Sequence, residues 1–244
     1  MNSVIEISNL TKLYSNGRGI RNVSFCVNSG DIVGLLGPNG SGKTTVMKAV
    51  LGLNRPSFGE IKLFGKDTRD HFEETMAKVG ALVEAPAIYK DLSARRHLEM
   101  AARLYPDVGG ERIDSVLSLV HLLQYKNDKA GKFSLGMKQR LGLAMAFLAR
   151  PELVILDEPV NGLDIEGVVE IREIIGRMNR EYGTTFLISS HLASEIEKTC
   201  HKVAVMYEGE LVAADTTENA LRLHPSMEDY FLSVVKERRG DIVV

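Results

Sequence analysis

The sequence of 244 residues contains no tryptophan, only two cysteines, and only 6% aromatic residues. Cys26 and Cys200 form neither a CxxC pair nor a zinc-ligand set, so we expect a reducing compartment without a disulfide framework. Neither sign of charge predominates, because 30 basic residues oppose 32 acidic residues and leave a net charge of −2. Proteins that bind nucleic acid non-specifically carry a basic excess, so we expect no nucleic-acid partner.

Long hydrophobic runs are absent too. The longest one, Leu141 to Ala149, is about half of the ~20 residues that a helix needs to cross a bilayer. Met1 to Glu6 shows no basic region followed by an apolar stretch, so we expect no secretory signal. The sequence therefore predicts a cytoplasmic protein that does not span a membrane by itself.

Strand and helix signals alternate along most of the chain. Asp31 to Leu36, Leu153 to Leu156 and Val203 to Tyr207 are short apolar runs of the kind found in buried strands, and helical patterns separate them. Helical spacing dominates between Leu92 and Ala149. This alternation predicts an α/β fold with a largely parallel sheet and an inserted helical region.

A glycine-rich segment directly follows the first buried strand. Residues 37–44, GPNGSGKT, match the P-loop pattern, in which glycines let backbone N–H groups approach phosphate oxygens. Lys43 is expected between the β- and γ-phosphates, and Thr44 is expected to bind Mg²⁺. The alternative is a glycine-rich turn with an incidental lysine, but a chance match in this length is on the order of one per cent. The expected nucleotide site comprises Gly37, Pro38, Asn39, Gly40, Ser41, Gly42, Lys43, Thr44 and Thr45.

Two acids end the apolar strand Leu153 to Leu156. Carboxylates at the carboxyl end of such a strand reach the crevice where α/β sheets bind ligands. We expect Asp157 to hold Mg²⁺ and Glu158 to orient, or accept a proton from, the water that attacks the γ-phosphate. Strands often end in aspartate, so this motif gains its weight from the preceding P-loop.

The order of motifs from Val4 to Leu223 resembles the ATP-binding-cassette (ABC) ATPase family. Residues 133–140, FSLGMKQR, resemble the signature LSGGQxQR, and residues 161–164, NGLD, resemble the D-loop. The segment ending in His191 resembles the one that carries the switch histidine, and Tyr14 is similar to the aromatic residue that stacks on adenine.

The resemblance implies a P-loop NTPase fold with a mostly parallel central sheet, N-terminal antiparallel strands and an inserted helical subdomain. It implies one ABC ATPase domain over residues 1–223, with the helical subdomain nested at about 85–150. Residues 224–244 are then expected to form a C-terminal helix, over Ser226 to Lys236, and a tail from Arg238 to Val244.

Site roles follow from the same resemblance, since two cassettes of this family face each other head to tail around two ATP molecules. Ser134 and the backbone of Gly136 are then expected to bind the γ-phosphate held by the second subunit. Asp164 would order the facing loop, and His191 would hydrogen-bond the γ-phosphate and polarise the attacking water. The second cassette is expected to be an identical chain, although a different cassette remains open.

Five positions depart from the family pattern. The signature has Leu135 in place of glycine and Met137 in place of glutamine, and the D-loop has Asn161 in place of a small residue and Gly162 before its leucine. Glu84 stands where the family has a glutamine that senses Mg²⁺ and the attacking water; a carboxylate can accept hydrogen bonds there but cannot donate them. With the altered signature, Glu84 resembles the cassettes of bacterial bacitracin- and lantibiotic-resistance transporters; alternatively, it replaces glutamine with little consequence.

The resemblance implies an ATPase that uses ATP and Mg²⁺ and powers a separate transmembrane permease. The chain would then lie on the inner face of the cell membrane through that permease, with Ala87 to His97 as part of the receiving surface. Its cargo would be antimicrobial peptides or other drugs, to be exported or cleared. Two alternatives stay open: a soluble ABC ATPase that acts on ribosomes or DNA, and a nucleotide-dependent regulator.

Overall fold

The computed structural model describes residues 3–240, which form two compact units. One unit contains the residues up to Thr75 together with those from Thr185 onward, and the other is Met76–Thr184. The strands are β1 Ser3–Leu13, β2 Gly19–Asn28, β3 Ile32–Leu36, β4 Phe58–Leu63, β5 Lys66–Asp67, β6 Val79–Leu82, β7 Leu153–Asp157, β8 Thr185–Ser190, β9 Lys202–Tyr207 and β10 Glu210–Thr216. The helices are α1 Lys43–Val50, α2 Phe72–Met76, α3 Ala94–Ala102, α4 Gly110–Leu119, α5 Leu135–Phe147, α6 Ile165–Tyr182, α7 Ala193–Thr199, α8 Thr217–Leu223 and α9 Met227–Arg239.

The first unit contains an antiparallel sheet of four strands in the order β2-β1-β4-β5. Ile5 and Ile7 of β1 point to one face and are buried, because alternate residues of a strand face the same side. Ile5 pairs with Val27 of β2 and with Leu63 of β4, which are buried as well. The strand-rich beginning of the chain therefore folds as an antiparallel layer with an apolar inner face.

Parallel pairing in the first unit centres on β3, which pairs with both β8 and β9. All five residues of β3 are buried, as expected for a strand with neighbours on both sides. The sequence reasoning missed β10, which pairs antiparallel with β9 through a two-residue turn. Glu208 and Gly209 of that turn have φ values of 49° and 83°, the left-handed geometry of tight hairpins.

The last helix, α9, is held at both ends within the first unit. The backbone N–H of Met227 donates to a carboxylate oxygen of Glu197 in α7, at 2.9 Å. Near the other end Arg238 pairs with Glu210 of β10. The helix continues to Arg239, beyond the predicted end at Lys236, and residues 241–244 of the predicted tail lie outside the described residues.

The second unit combines the parallel pair β6 and β7 with helices α3 to α6. Helix α5 is apolar along most of its length and buries Leu141 and Phe147. The guanidinium of Arg112 in α4 donates to the carbonyl oxygens of Phe147 and Leu148, at 2.6 and 3.0 Å. Helix carbonyls at a C-terminus have no partner within the helix, so this cation satisfies them.

Arg95 of α3 joins α3 to α4, because it forms ion pairs with Glu99 and with Asp114. Asp114 also forms an ion pair with Lys126, so these side chains form a small charge network in this helical region of the second unit. Of the helices within residues 3–240, none combines the length with the apolar composition that crossing a bilayer requires.

Candidate functional site

The P-loop in the first unit leaves β3 at Gly37 and leads into α1. Gly40 and Gly42 have φ values of 82° and 105°, which side chains other than glycine rarely adopt. A Cβ atom on Gly37 would lie 2.2 Å from the carbonyl oxygen of Met206, so this position also excludes a side chain. No side chain caps the N-terminus of α1, whose positive end is suited to an anion.

Two buried polar side chains lie inside this loop. The ammonium of Lys43, which is only 5% exposed, donates to the carbonyl oxygens of Gly37 and Pro38 at 2.7 and 3.2 Å. The hydroxyl of Ser41 is buried and has no hydrogen-bond partner among residues 3–240. Leaving a buried hydroxyl unpaired costs free energy, so Ser41 is matched to an acceptor or donor supplied by a ligand.

His191 lies near the P-loop within the first unit. The N–H of Gly37 donates to the carbonyl of Ser190, the residue that precedes the histidine, at 3.2 Å. The Ser190 hydroxyl accepts the N–H of Leu192 at 3.0 Å and fixes the turn that carries His191. A cavity of about 330 Å³ borders both segments and is lined by Leu36, Gly37, Pro38, His191, Leu192, Ala193, Ser194, Glu228, Phe231 and Leu232.

Tyr14 follows β1 and is 42% exposed. Its hydroxyl accepts a hydrogen bond from the Asn54 amide at 3.1 Å. The Lys12 ammonium lies 5.6 Å from the centre of the ring, a cation–π distance. The ring is thus oriented at its hydroxyl end while much of it stays accessible for stacking.

Two carboxylates follow the parallel strands of the second unit at matching positions. Leu82 of β6 pairs with Leu156 of β7, and Glu84 and Glu158 each come two residues later. Both glutamates have left-handed backbones, with φ values of 63° and 49°. Non-glycine residues adopt this geometry at an energetic cost and concentrate at functional sites. Asp157, the last residue of β7, is only 6% exposed.

Ser134, Gly136 and Asp164 come together in the second unit at the N-termini of α5 and α6. Ser134 caps α5 by accepting the N–H of Met137 at 3.2 Å, and Asp164 caps α6 by accepting the N–H of Gly167 at 2.9 Å. A cavity of about 430 Å³ lies between these helix ends and is lined by Ser134, Leu135, Gly136, Met137, Arg140, Gly162, Leu163, Asp164, Glu166, Gly167 and Glu170. The N-terminus of α5 favours a negatively charged ligand, whereas the N-terminus of α6 already interacts with the carboxylate of Asp164.

The donors expected for Mg²⁺ are all oxygen atoms, which is the ligand type that this ion prefers. They are the hydroxyl of Thr44 at the start of α1, and the carboxylates of Asp157 and Glu84. Within residues 3–240 no group of three or more His, Cys, Asp or Glu side chains is arranged to hold a metal ion.

The sequence also matches a protein-family model. The family model described as ABC transporter matches residues 20–161, which include the P-loop, the signature and both acids that end β7. The chain belongs to the ABC transporter family. It is an ATP-binding subunit of this family and an ATPase, so the predicted family and enzymatic class are confirmed.

Curated ABC relatives are similar over most of the chain. A bacitracin transport ATP-binding protein of Bacillus licheniformis is 42% identical over 212 residues, which are 87% of this chain and 69% of that protein. A lantibiotic transport ATP-binding protein of Streptococcus pyogenes is 38% identical over 209 residues, covering 86% and 89%. The predicted likeness to cassettes of the bacitracin and lantibiotic type is therefore confirmed.

Solved ABC cassettes share the fold. The ATP-binding subunit of an ABC transporter superposes with a TM-score of 0.84 at 27% identity, covering 96% of this chain and all of that one. A dimeric cassette in a post-hydrolysis state with ADP and phosphate gives a TM-score of 0.78 at 24% identity, covering 87% and 98%. The predicted P-loop NTPase fold is confirmed.

Sequence reasoning missed two residues that support the segments expected to bind nucleotide. The N–H of Gly209, in the turn between β9 and β10, donates to the carbonyl of Ser41 at 3.1 Å. Asn54 orients Tyr14, as described above. The glycine of a two-residue turn was a usable signal for Gly209, whereas nothing local marks Asn54.

Proposed function

We propose that this chain hydrolyses ATP to drive a separate transmembrane permease that exports or clears antimicrobial peptides of the bacitracin and lantibiotic class. The observation that carries the proposal is the 42% identity, over 87% of the chain, to a bacitracin transport ATP-binding protein. ABC ATP-binding subunits generally work with transmembrane partners and pair with a second cassette. The cargo is therefore inferred from the relatives, and the permease from the way this family works.

The first unit supplies the groups proposed to bind ATP. Backbone N–H groups of residues 37–45 and the start of α1 bind the phosphates, and Lys43 exchanges its contacts with the loop carbonyls for phosphate oxygens. Ser41 gains a partner for its buried hydroxyl. Tyr14 stacks on the adenine, an interaction worth about 1–3 kcal/mol for a base on an aromatic ring.

The second unit supplies the proposed catalytic and metal-binding acids. When bound, Mg²⁺ neutralises charge on the phosphates; Thr44, Asp157 and Glu84 would hold it. Glu158 accepts the proton of the attacking water, and His191 hydrogen-bonds the γ-phosphate. These roles rest on the match between the residues and the family pattern.

A second copy of the chain, placed head to tail, is proposed to complete each nucleotide site. Ser134 and the N–H of Gly136 then bind the γ-phosphate held by the partner's P-loop, and Asp164 orders the partner's loop. The N-terminus of α5 at the cavity of about 430 Å³ supports this assignment, because a helix N-terminus favours an anion. Loss of the γ-phosphate removes the bridge between the copies.

Glu158→Gln tests the proposed chemistry. The amide cannot accept the water proton, so we expect hydrolysis to fall by at least about 100-fold while ATP binding persists. With ATP and Mg²⁺ this variant should elute at twice the monomer mass. Glu152→Gln is the matched control, since Glu152 is exposed and its carboxylate pairs with Lys78. Fast hydrolysis by Glu158→Gln would remove Glu158 from the catalytic role.

Resistance of cells tests the proposed cargo. The wild-type chain, Glu158→Gln and Glu152→Gln are expressed at equal levels in the organism that carries the gene, after deletion of the chromosomal copy. We expect resistance to bacitracin or to a lantibiotic with the wild type and with Glu152→Gln, and none with Glu158→Gln. Equal sensitivity in all three strains, with hydrolysis intact in vitro, would contradict the proposed cargo.

A further inference from the structure

Residues 85–92 of the second unit, between Glu84 and α3, contain no helix or strand but are firmly anchored. The N–H of Tyr89 donates to Nε2 of His97 at 3.0 Å, and Nδ1 of the same ring lies 2.8 Å from the carbonyl of Ser93. Because Nε2 accepts, the ring proton belongs on Nδ1. His97 is completely buried in α3, so it fixes Tyr89 to the helix.

A short backbone ladder joins the same segment to the residues before the signature. The carbonyl of Lys90 accepts the N–H of Gly131 at 2.9 Å, and the carbonyl of Leu92 accepts the N–H of Ala130 at 2.9 Å. Ser93 and Lys129 form an antiparallel bridge next to these bonds. We call this ladder, residues 90–93 with residues 129–131, the strap.

The strap requires a glycine at position 131. A Cβ atom there would lie 2.8 Å from the carbonyl oxygen of Lys90 and 3.1 Å from its Cβ. The first of these neighbours is backbone, so it cannot move aside without breaking the hydrogen bond that it accepts. Position 131 therefore requires glycine, because two segments of the chain approach each other closely there.

The strap leads directly into the signature. Residues Ala130–Lys132 form a single 3₁₀ turn, and the N–H of Phe133 donates to the carbonyl of Ala130 at 3.2 Å. Phe133 is buried, and the next residue is Ser134, the cap of α5. Pro86 also touches α5, since a Cβ on Gly142 would lie 2.9 Å from Pro86 Cβ.

We propose that the strap couples the position of residues 85–92 to the position of Ser134, with Gly131 as its positioning residue. A displacement of the segment either carries the 3₁₀ turn and the start of α5 with it or breaks the two hydrogen bonds. The proposal rests on the proposed function, in which Ser134 binds the partner's γ-phosphate and residues 87–97 contact the permease. Coupling is reciprocal, so nucleotide bound at Ser134 also restrains the segment.

Hydrogen–deuterium exchange of the full chain tests this reciprocity without the permease. The probe is the β,γ-imido analogue of ATP with Mg²⁺, and the peptides read are 37–45, 86–92 and 130–137. We expect the analogue to slow exchange at 37–45 and 130–137, and also to slow exchange at 86–92 by about fivefold, because local opening there becomes rarer.

Gly131→Ala then separates the two ends. Its added methyl group opens the strap, so we expect the slowing at 86–92 to fall below about twofold while the slowing at 37–45 matches the wild type. Gly109→Ala is the control: Gly109 has φ −95°, and apart from its chain neighbours no atom of residues 3–240 lies within 4 Å of a built Cβ, so it should behave like the wild type.

The outcomes distinguish the two hypotheses. In the wild type, slowing at 37–45 and 130–137 without any change at 86–92 would overturn the strap and leave the proposed function intact. Undiminished slowing at 86–92 in Gly131→Ala would overturn it as well. The absence of slowing in all three peptides would contradict the proposed nucleotide site, and the strap proposal would fall with it.

Discussion

Leu135 lies against the backbone of Gly162: a Cβ atom built on Gly162 would be 3.3 Å from Leu135 Cδ2. Leu135 stands where the family signature has glycine, and Gly162 lies in the altered D-loop. Leu135 is 54% exposed, and Gly162 has φ 75°. The larger signature residue therefore faces a D-loop position without a side chain, and the two departures from the family pattern fit each other.

We expect Gly162→Ala to lower the free energy of unfolding by about 1–2 kcal/mol, since alanine is strained at this φ. Leu135→Gly in the Gly162→Ala background should relieve the crowding, though not the backbone strain. A double-mutant cycle in urea measures the interaction between the two changes. Additivity within about 0.3 kcal/mol would show that the two side chains do not compete for space.

Ser41→Ala should separate stability from binding. The Ser41 hydroxyl is buried without a hydrogen-bond partner in the described part of the chain, so its removal should stabilise the nucleotide-free chain by about 1 kcal/mol. The same change should weaken nucleotide binding, because the hydroxyl is then missing from the P-loop. Thermal unfolding with and without nucleotide measures both effects, and Ser29→Ala provides a control at an exposed serine in the turn between β2 and β3. A destabilised Ser41→Ala chain with unchanged affinity would contradict the inference.

Glu84→Gln should change coupling to the permease more than hydrolysis. The amide can donate hydrogen bonds that the carboxylate cannot, whereas the left-handed backbone of Glu84 is retained. We expect the ATPase rate of the isolated chain to stay within about twofold and peptide resistance of cells to drop. Should hydrolysis collapse while ATP still binds, Glu84 belongs to the chemistry of the site.

Tyr14→Ala should weaken ATP binding by about 5- to 150-fold, since stacking of a base on an aromatic ring is worth about 1–3 kcal/mol. Tyr14→Phe keeps the ring and loses only the hydroxyl that Asn54 contacts, so its affinity should remain close to the wild type. Isothermal titration of both variants with ATP compares the two contributions. Equal loss in both would assign the effect to the hydroxyl instead of stacking.

The two cysteines should differ in reactivity. Complete burial, together with the negative charge of Glu195, raises the pKa of the Cys200 thiol well above its usual range, while Cys26 is exposed. The reactive thiolate is therefore scarce at Cys200 at pH 8. Iodoacetamide followed by mass spectrometry should label Cys26 in the native chain and Cys200 only after unfolding. Rapid native labelling of Cys200 would show that this core opens easily.

The sequence predicted the features that a local pattern dictates. Each of these features is a run of neighbouring residues: the P-loop at residues 37–44, the apolar strand that ends in Asp157, and the motifs that indicate the family. The supporting contacts depend on residues that only tertiary packing brings together. Asn54 and Tyr14 are forty positions apart, and helices α3 and α4 lie between Lys90 and Gly131 in the sequence. Strand β10 escaped because its residues Glu210–Thr216 mix apolar and polar positions without a clear period.

The left-handed backbones at Glu84 and Glu158 have a practical meaning for anyone who diversifies this gene. At φ values of 63° and 49°, the branched side chains of valine, isoleucine and threonine clash with the backbone, whatever chemical groups they carry. In a saturation library, poor growth of clones with these residues at codons 84 and 158 would report misfolding as readily as lost activity. Asparagine and glycine, which tolerate the geometry, are the replacements whose phenotypes can be attributed to the missing carboxylate.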